Sequence, residues 1–256
     1  MLATGRNREQ ERASQQQMMN RIISRYNRAI AREITRAMND YARHIGDPMV
    51  NAEVRLKHMD NMTRILTRLW TQSGKMSVEH NFNIVKSYYD MELKKGSDFP
   101  DLTTPIVDKA IADWVRAYGG GKITEITGTT MSDINKIVAD ARVEGLSERE
   151  TAKLISAIAP TKSASRSQTI ARTEAHGSSQ GISLDVANET DIPLVKVWLS
   201  DKGESAREEH LDVDGQKRAL ADDFSVGGER LEYPGDPSGS AENVINCKCV
   251  IGYEVA

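Results

Sequence analysis

From Arg12 to Arg43 apolar residues recur every third or fourth position, at Met18, Ile22, Tyr26, Ile30, Ile34, Met38 and Tyr41. That period lines one face of a long helix whose other face is Arg, Asn and Gln. The polar residues before Arg12 predict a mobile arm, and Gly46-Asp47-Pro48 predicts the turn that closes the helix. A second helix is predicted from Met49 to Thr71 on Val54, Leu56, Met59, Met62, Ile65, Leu66, Leu69 and Trp70, with Ser73-Gly74 as its stop. A third runs from Ser77 to Lys94, carrying Val78, Phe82, Val85, Tyr88, Tyr89 and Leu93. Pro100 and Pro105 bracket a loop, and Ile106, Val107, Ile111, Trp114, Val115 and Tyr118 mark a fourth. Together these elements predict an antiparallel helical layer.

Gly119-Gly120-Gly121 is read as a boundary, because three successive glycines lose much backbone entropy inside a regular element. Beyond it, Thr130 or Ser132 can cap a helix ending near Gly145. Ser147 and Glu150 have the spacing of a capping box, opening a short helix that Pro160 stops, and another follows from Ser163 to Asn188. After Pro193 the pattern shortens. Val195 to Leu199 and Val250 to Val255 read as strands within a turn-rich stretch. The predicted fold is mainly α with a small C-terminal α+β module. Its predicted domains are residues 1–118 and 122–256, the acidic α+β end beginning at about residue 194.

Composition sharpens this picture through its asymmetry. The net charge is only -3, yet Met1–Arg36 holds eight arginines against three glutamates. From Asp201 onward, six basic residues face thirteen acidic ones. Two ends of opposite sign prefer different neighbours. No run of about 18 apolar residues suggests a membrane span, and the first residues lack the apolar stretch of a signal peptide, so synthesis in the cytoplasm is expected. Cys247 and Cys249 are the two cysteines, too close in sequence for an easy disulfide, which excludes a secreted disulfide scaffold.

Several separated pieces in the last half of the chain carry a resemblance. They are Ile170-Ala171-Arg172-Thr173-Glu174, Lys196-Val197-Trp198 leading to Asp201, and Arg207 with His210. Asp214-Gly215-Gln216, Phe224, Tyr233-Pro234-Gly235-Asp236 and Asn246-Cys247-Lys248-Cys249 follow in order. In this ordered combination the chain resembles the phage Mu F-like, or phage head morphogenesis, family. Lys248 stands where that family more often has Arg, which keeps the charge and loses the planar fork. The resemblance implies a structural minor capsid protein of a tailed bacteriophage, assembled in the bacterial cytoplasm and carried in the virion. Its implied partners are the portal protein and the major capsid protein. Some relatives contact packaged DNA. Others are fused to toxin domains, and with Ala256 soon after the motif no such passenger is expected here.

The residues that could carry chemistry are few. His210, Cys247 and Cys249 offer the imidazole and thiolates that zinc favours, with Asp201, Asp212, Asp214, His176 or water as fourth ligand. Cys-x-Cys is less common than Cys-x2-Cys in such sites, and the bland alternative is a pair of buried thiols behaving as small hydrophobes. A metal-dependent hydrolase on this triad, with Asp212 or Asp214 as base, is the enzymatic alternative. Arg172 with Asp201, and Arg207 with Glu174, are candidate structural ion pairs, the alternative being a solvated helix face. Asp212-Val213-Asp214-Gly215 reads as a turn because it lacks the distal acidic ligand of a calcium loop. No nucleophile elbow surrounds any serine, so no catalytic residue is assigned. Arg21, Arg25, Arg28 and Arg32 form one stripe that could meet phosphates or an acidic protein surface, leaving a DNA-associated ejection protein as a further alternative.

Overall fold

The computed structural model describes residues 5–45, 47–88 and 104–256. It is mainly α. The helices are α1 (Gly5–Ala42), α2 (Pro48–Tyr88), α3 (Thr104–Trp114), a π-helical turn (Val115–Gly119), α4 (Gly120–Val143) and α5 (Glu148–Asn188). A turn-rich end follows with β1 (Leu194–Leu199), α6 (Glu208–Asp212), β2 (Lys217–Ala219), β3 (Phe224–Val226), β4 (Glu229–Leu231), α7 (Ala241–Val244) and β5 (Val250–Val255). The chain gathers into two compact units, one of Met1–Ile22, Leu69–Val115 and Arg172–Ala256, the other of Ile23–Arg68 and Arg116–Ala171. These units interleave along the chain, unlike the consecutive blocks 1–118 and 122–256. Periodicity locates a helix but does not reveal that its two halves serve different cores.

Several expected breaks are continuous helix, and each has a local cause. At Ser73-Gly74, the Ser73 hydroxyl donates to the Leu69 carbonyl at 2.9 Å and lies 2.7 Å from the Ser178 hydroxyl. A Cβ added at Gly74 would sit 2.6 Å from Ile182 Cδ1. The small pair therefore marks where α2 and α5 approach, not where α2 ends. Gly119 has φ -57 and ψ -47, ordinary helical values, and leads straight into α4. Pro160 lies inside α5. Buried Ile155, Ala159, Ser163, Ser167 and Ile170 continue at helical spacing across it. Packing of that stripe offsets the backbone hydrogen bond that proline removes.

Other boundaries also move. α1 already begins at Gly5, so the described part of the expected arm is helical. Arg8 pairs with Glu254 at 3.4 Å, a tertiary contact that composition does not show. α4 opens ahead of Thr130, whose hydroxyl instead donates to the Ile126 carbonyl within the helix. The capping box forms as expected: the Ser147 amide donates to Glu150 Oε2 at 2.8 Å, and the Glu150 amide to Ser147 Oγ at 3.3 Å. Residues 1–4, the predicted end of the third helix at Lys94, and Pro100 lie outside the described residues.

The unit containing Ile23–Arg68 has an aliphatic core that includes Ile30, Ile34, Met38, Met62, Leu66, Ile134 and Ile155. Each such side chain contributes about 1.5–3 kcal/mol on burial. The other unit is built around the end of α5, where residues 174–184 are all buried. A helix enclosed all round shows no polar face, and here the enclosed residues are mostly small or polar. Close approach explains the glycines: a Cβ at Gly177 would lie 2.9 Å from the Gly235 carbonyl oxygen, and one at Gly181 would lie 2.4 Å from the Trp114 ring.

The larger sheet is antiparallel with strand order β2-β1-β5, and β1 pairs β5 from Leu194↔Val255 to Leu199↔Val250. β5 is thus an edge, and an open edge invites foreign strands. Two glutamines cover it. The Ile251 amide donates to Gln180 Oε1 at 2.7 Å, and Gln15 Nε2 donates to the Ile251 carbonyl at 2.9 Å. The β3–β4 hairpin turns at Gly227 and Gly228, whose φ values of 54 and 83 suit a type I′ turn and demand glycine-like freedom. Its Phe224, Val226 and Leu231 join Trp198, Val213, Cys247 and Cys249 in one apolar cluster.

Candidate metal centre

His210 comes from α6, a one-turn helix whose first turn holds Glu208 and Glu209, acidic residues suited to that end. Cys247 follows α7, which Ser240 caps by accepting from the Asn243 amide. Cys249 directly precedes β5. The three ligand-type atoms lie within 4.8 Å of one another, and the cluster is one that could hold a metal ion. His210 Nδ1 is 3.4 Å from Cys249 Sγ and 3.7 Å from Cys247 Sγ. Its Nε2 is 3.2 Å from Asn243 Oδ1. The Asp201 amide donates to Cys249 Sγ at 3.4 Å. The Trp198 ring stands edge-on to the imidazole, with centroids 5.5 Å apart, and the exposures of His210, Cys247 and Cys249 are only 2%, 1% and 2%.

The two thiols bias one another in opposite directions. A hydrogen bond from Cys249 holds Cys247 below its ordinary value, outweighing burial. Cys249 is raised well above its own, first through that bond to Cys247 and then through burial. Burial also pushes His176 down to about 4, helped by the nearby Arg172 charge, so this ring is neutral at ordinary pH.

The cysteine motif is held in place by the helical motif upstream. Asn246 adopts φ 60, a left-handed conformation that Asn tolerates better than most residues. Its amide donates to Thr173 Oγ1 at 3.0 Å, and Arg172 donates to its Oδ1 at 3.1 Å. Arg207 donates to the carbonyls of Asn243, at 3.4 Å, and of Ile245. Glu174 accepts from Trp70 Nε1 at 3.1 Å. The expected pairs Arg172–Asp201 and Arg207–Glu174 are therefore replaced. Irregular backbone around α7 leaves carbonyls and an amide side chain that need donors, and both guanidinium groups are drawn there. Asp201 instead lies 3.6 Å from Lys248 and accepts from Gln16 at 3.0 Å.

The candidate fourth ligands do not join the triad among the described residues. Asp214 accepts from the Ser200 amide at 2.8 Å and pairs with Lys202 at 2.9 Å, which makes it the anchor of its turn. Asp212 is exposed, and His176 hydrogen-bonds the backbone of Cys249. Arg21, Arg25, Arg28 and Arg32 are all exposed on α1. The sequence reading missed Asn243 and the role of Thr173. Asn243 lies in α7, four residues before Cys247, with no spacing signature of its own; Thr173 stands beside Arg172 in the helical motif, and nothing local marks Asn246 as its partner.

Residues 132–252 match the family described as Phage Mu protein F like protein. No curated protein and no solved structure matches the chain.

Proposed function

Because the chain carries a phage Mu F-like domain over residues 132–252, we propose that it is a head morphogenesis protein of a tailed bacteriophage, built into the virion as a structural minor capsid component near the portal vertex. Its partners in this reading are the portal protein and the major capsid protein. One observation carries the structural side of the proposal: the motif residues spend their bonding capacity on each other. Arg172 and Thr173 hold Asn246, Arg207 holds the carbonyls around α7, and Asp201 caps a cysteine sulfur. A reaction centre leaves donors and acceptors aimed at a substrate, whereas this half-buried constellation is closed on itself around buried His210, Cys247 and Cys249. Zinc is the ion that suits the His210, Cys247 and Cys249 donor set, and in this reading it acts as a staple for a small module with a thin core.

Deleting the gene and imaging the heads by electron microscopy tests the proposal. Empty, misassembled or portal-deficient heads are expected. Normal yields of packaged, infectious particles would contradict it, as would a particle reconstruction that places the chain away from the portal vertex.

A further inference from the structure

The triad contains more information than its residue types. A neutral imidazole has one N–H and one bare nitrogen, and its partners decide which is which. Beside His210 Nε2 stands Asn243 Oδ1, an acceptor at 3.2 Å, which places the proton on Nε2. Nδ1 is then the bare nitrogen, and it faces both sulfurs, at 3.4 and 3.7 Å. One lone pair satisfies a single S–H at a time. A cation between all three atoms satisfies them together. Tetrahedral zinc, with Zn–N near 2.0–2.1 Å and Zn–S near 2.3 Å, sets its nitrogen and sulfur ligands about 3.6 Å apart. Both observed separations bracket that value. The Asp201 amide pointing at Cys249 Sγ is also what a thiolate accepts well.

We infer that His210 binds zinc through Nδ1, with Cys247 and Cys249 as thiolate ligands and Asn243 as the positioning residue that fixes the imidazole tautomer. This rests on the zinc reading and deepens it. Binding releases the two thiol protons to solvent, leaves His210 neutral, and leaves a fourth position to water. Asn243 belongs to α7, Cys247 and Cys249 to the segment behind it, and His210 to α6, so the ion adds a tie between elements that the Arg207 hydrogen bonds to the Asn243 and Ile245 carbonyls already join. Outer partners of this kind change metal affinity by about 10–100-fold when removed.

The test uses the full chain purified reduced and without chelator. Plasma mass spectrometry is expected to find close to one zinc per chain, and long-range proton–nitrogen correlation of the His210 ring to show Nε2–H retained with Nδ1 on the metal. Asn243→Leu is expected to weaken zinc binding about 10–100-fold in a competition titration. Asn243→Asp, which keeps an acceptor, is expected to bind close to the unaltered chain, with circular dichroism confirming that both variants fold. A holo protein whose His210 is metallated through Nε2, or an Asn243→Leu chain with unchanged affinity, overturns this inference and leaves the zinc reading standing. Reduced protein that carries no zinc and takes none up on titration overturns both.

Discussion

Both compact units turn buried hydroxyls back onto their own helices, but the one that holds the turn-rich end also spends polar side chains on backbone that secondary structure leaves unpaired. In the unit containing Ile23–Arg68 and Arg116–Ala171, hydroxyls turn back on their own helix or meet another side chain. Thr127 donates to the Ile123 carbonyl at 2.7 Å, Thr35 and Ser163 share a hydroxyl contact at 2.7 Å, and His58 sits 3.0 Å from Glu33. In the other unit, polar side chains reach backbone that secondary structure leaves unpaired. Gln180 and Gln15 serve Ile251, fully buried Lys196 donates to the Glu232 carbonyl at 2.9 Å, and Asp236 accepts from the Glu232 and Ser238 amides at 2.8 Å each. A helix satisfies its own interior backbone, so its polar residues are spare. Edges and turns do not, and each such group needs a particular partner. The turn-rich unit is therefore the less tolerant of single changes.

The contrast can be tested at its apolar heart first. Trp198 is fully buried against Phe224 and His210. Trp198→Ala is expected to cost about 3–5 kcal/mol in urea denaturation, against about 0.5–1.5 for Ile134→Val in the other unit. Equal losses would show that the apolar cluster around Trp198 is not what holds its unit.

The polar comparison is sharper though smaller. Gln180→Leu strands the Ile251 amide without its acceptor and is expected to cost about 1–3 kcal/mol, while Thr127→Val costs under about 1, because the Ile123 carbonyl keeps its helical donor. Hydrogen exchange adds a local readout. The Ile251 amide should lose protection in Gln180→Leu, and unchanged protection would mean that the glutamine is not its acceptor.

The smallest expected effect is electrostatic. Desolvation, with Glu232 and Asp113 nearby, pushes Asp185 up from 3.8 to about 6. A carboxyl whose folded value exceeds its unfolded one favours the protonated folded state. Stability therefore falls as pH rises from 3.8 through about 6 and stays lower above it. Asp185→Asn should remove that slope, raising the melting temperature at neutral pH with little change near the lower bound. Glu33 in the other unit has the opposite sign. Burial opposes its ionisation, but hydrogen bonds from His58 and Arg36 prevail and hold it below 4.5, so its contribution is lost only as pH falls below that value. Were Asp185→Asn to leave the pH profile unaltered between 3.8 and 6, the acid cluster around α5 would not be coupled to folding.

What the chain determined by itself is local. Period and capping box depend on residues within a few positions of each other, so most of α1, the start of α5, β1 and β5 were legible. The triad was legible too, because imidazole and thiols are rare enough to stand out wherever the fold brings them together. Only tertiary structure decided that Ser73-Gly74 and Pro160 lie inside helices, since a small residue can mark a close crossing as readily as an end. It also decided that Arg172 serves Asn246 and that Asn243 faces His210. Such pairings depend on which unpaired backbone and side-chain atoms meet after the chain has turned back on itself, and no spacing along the sequence encodes that.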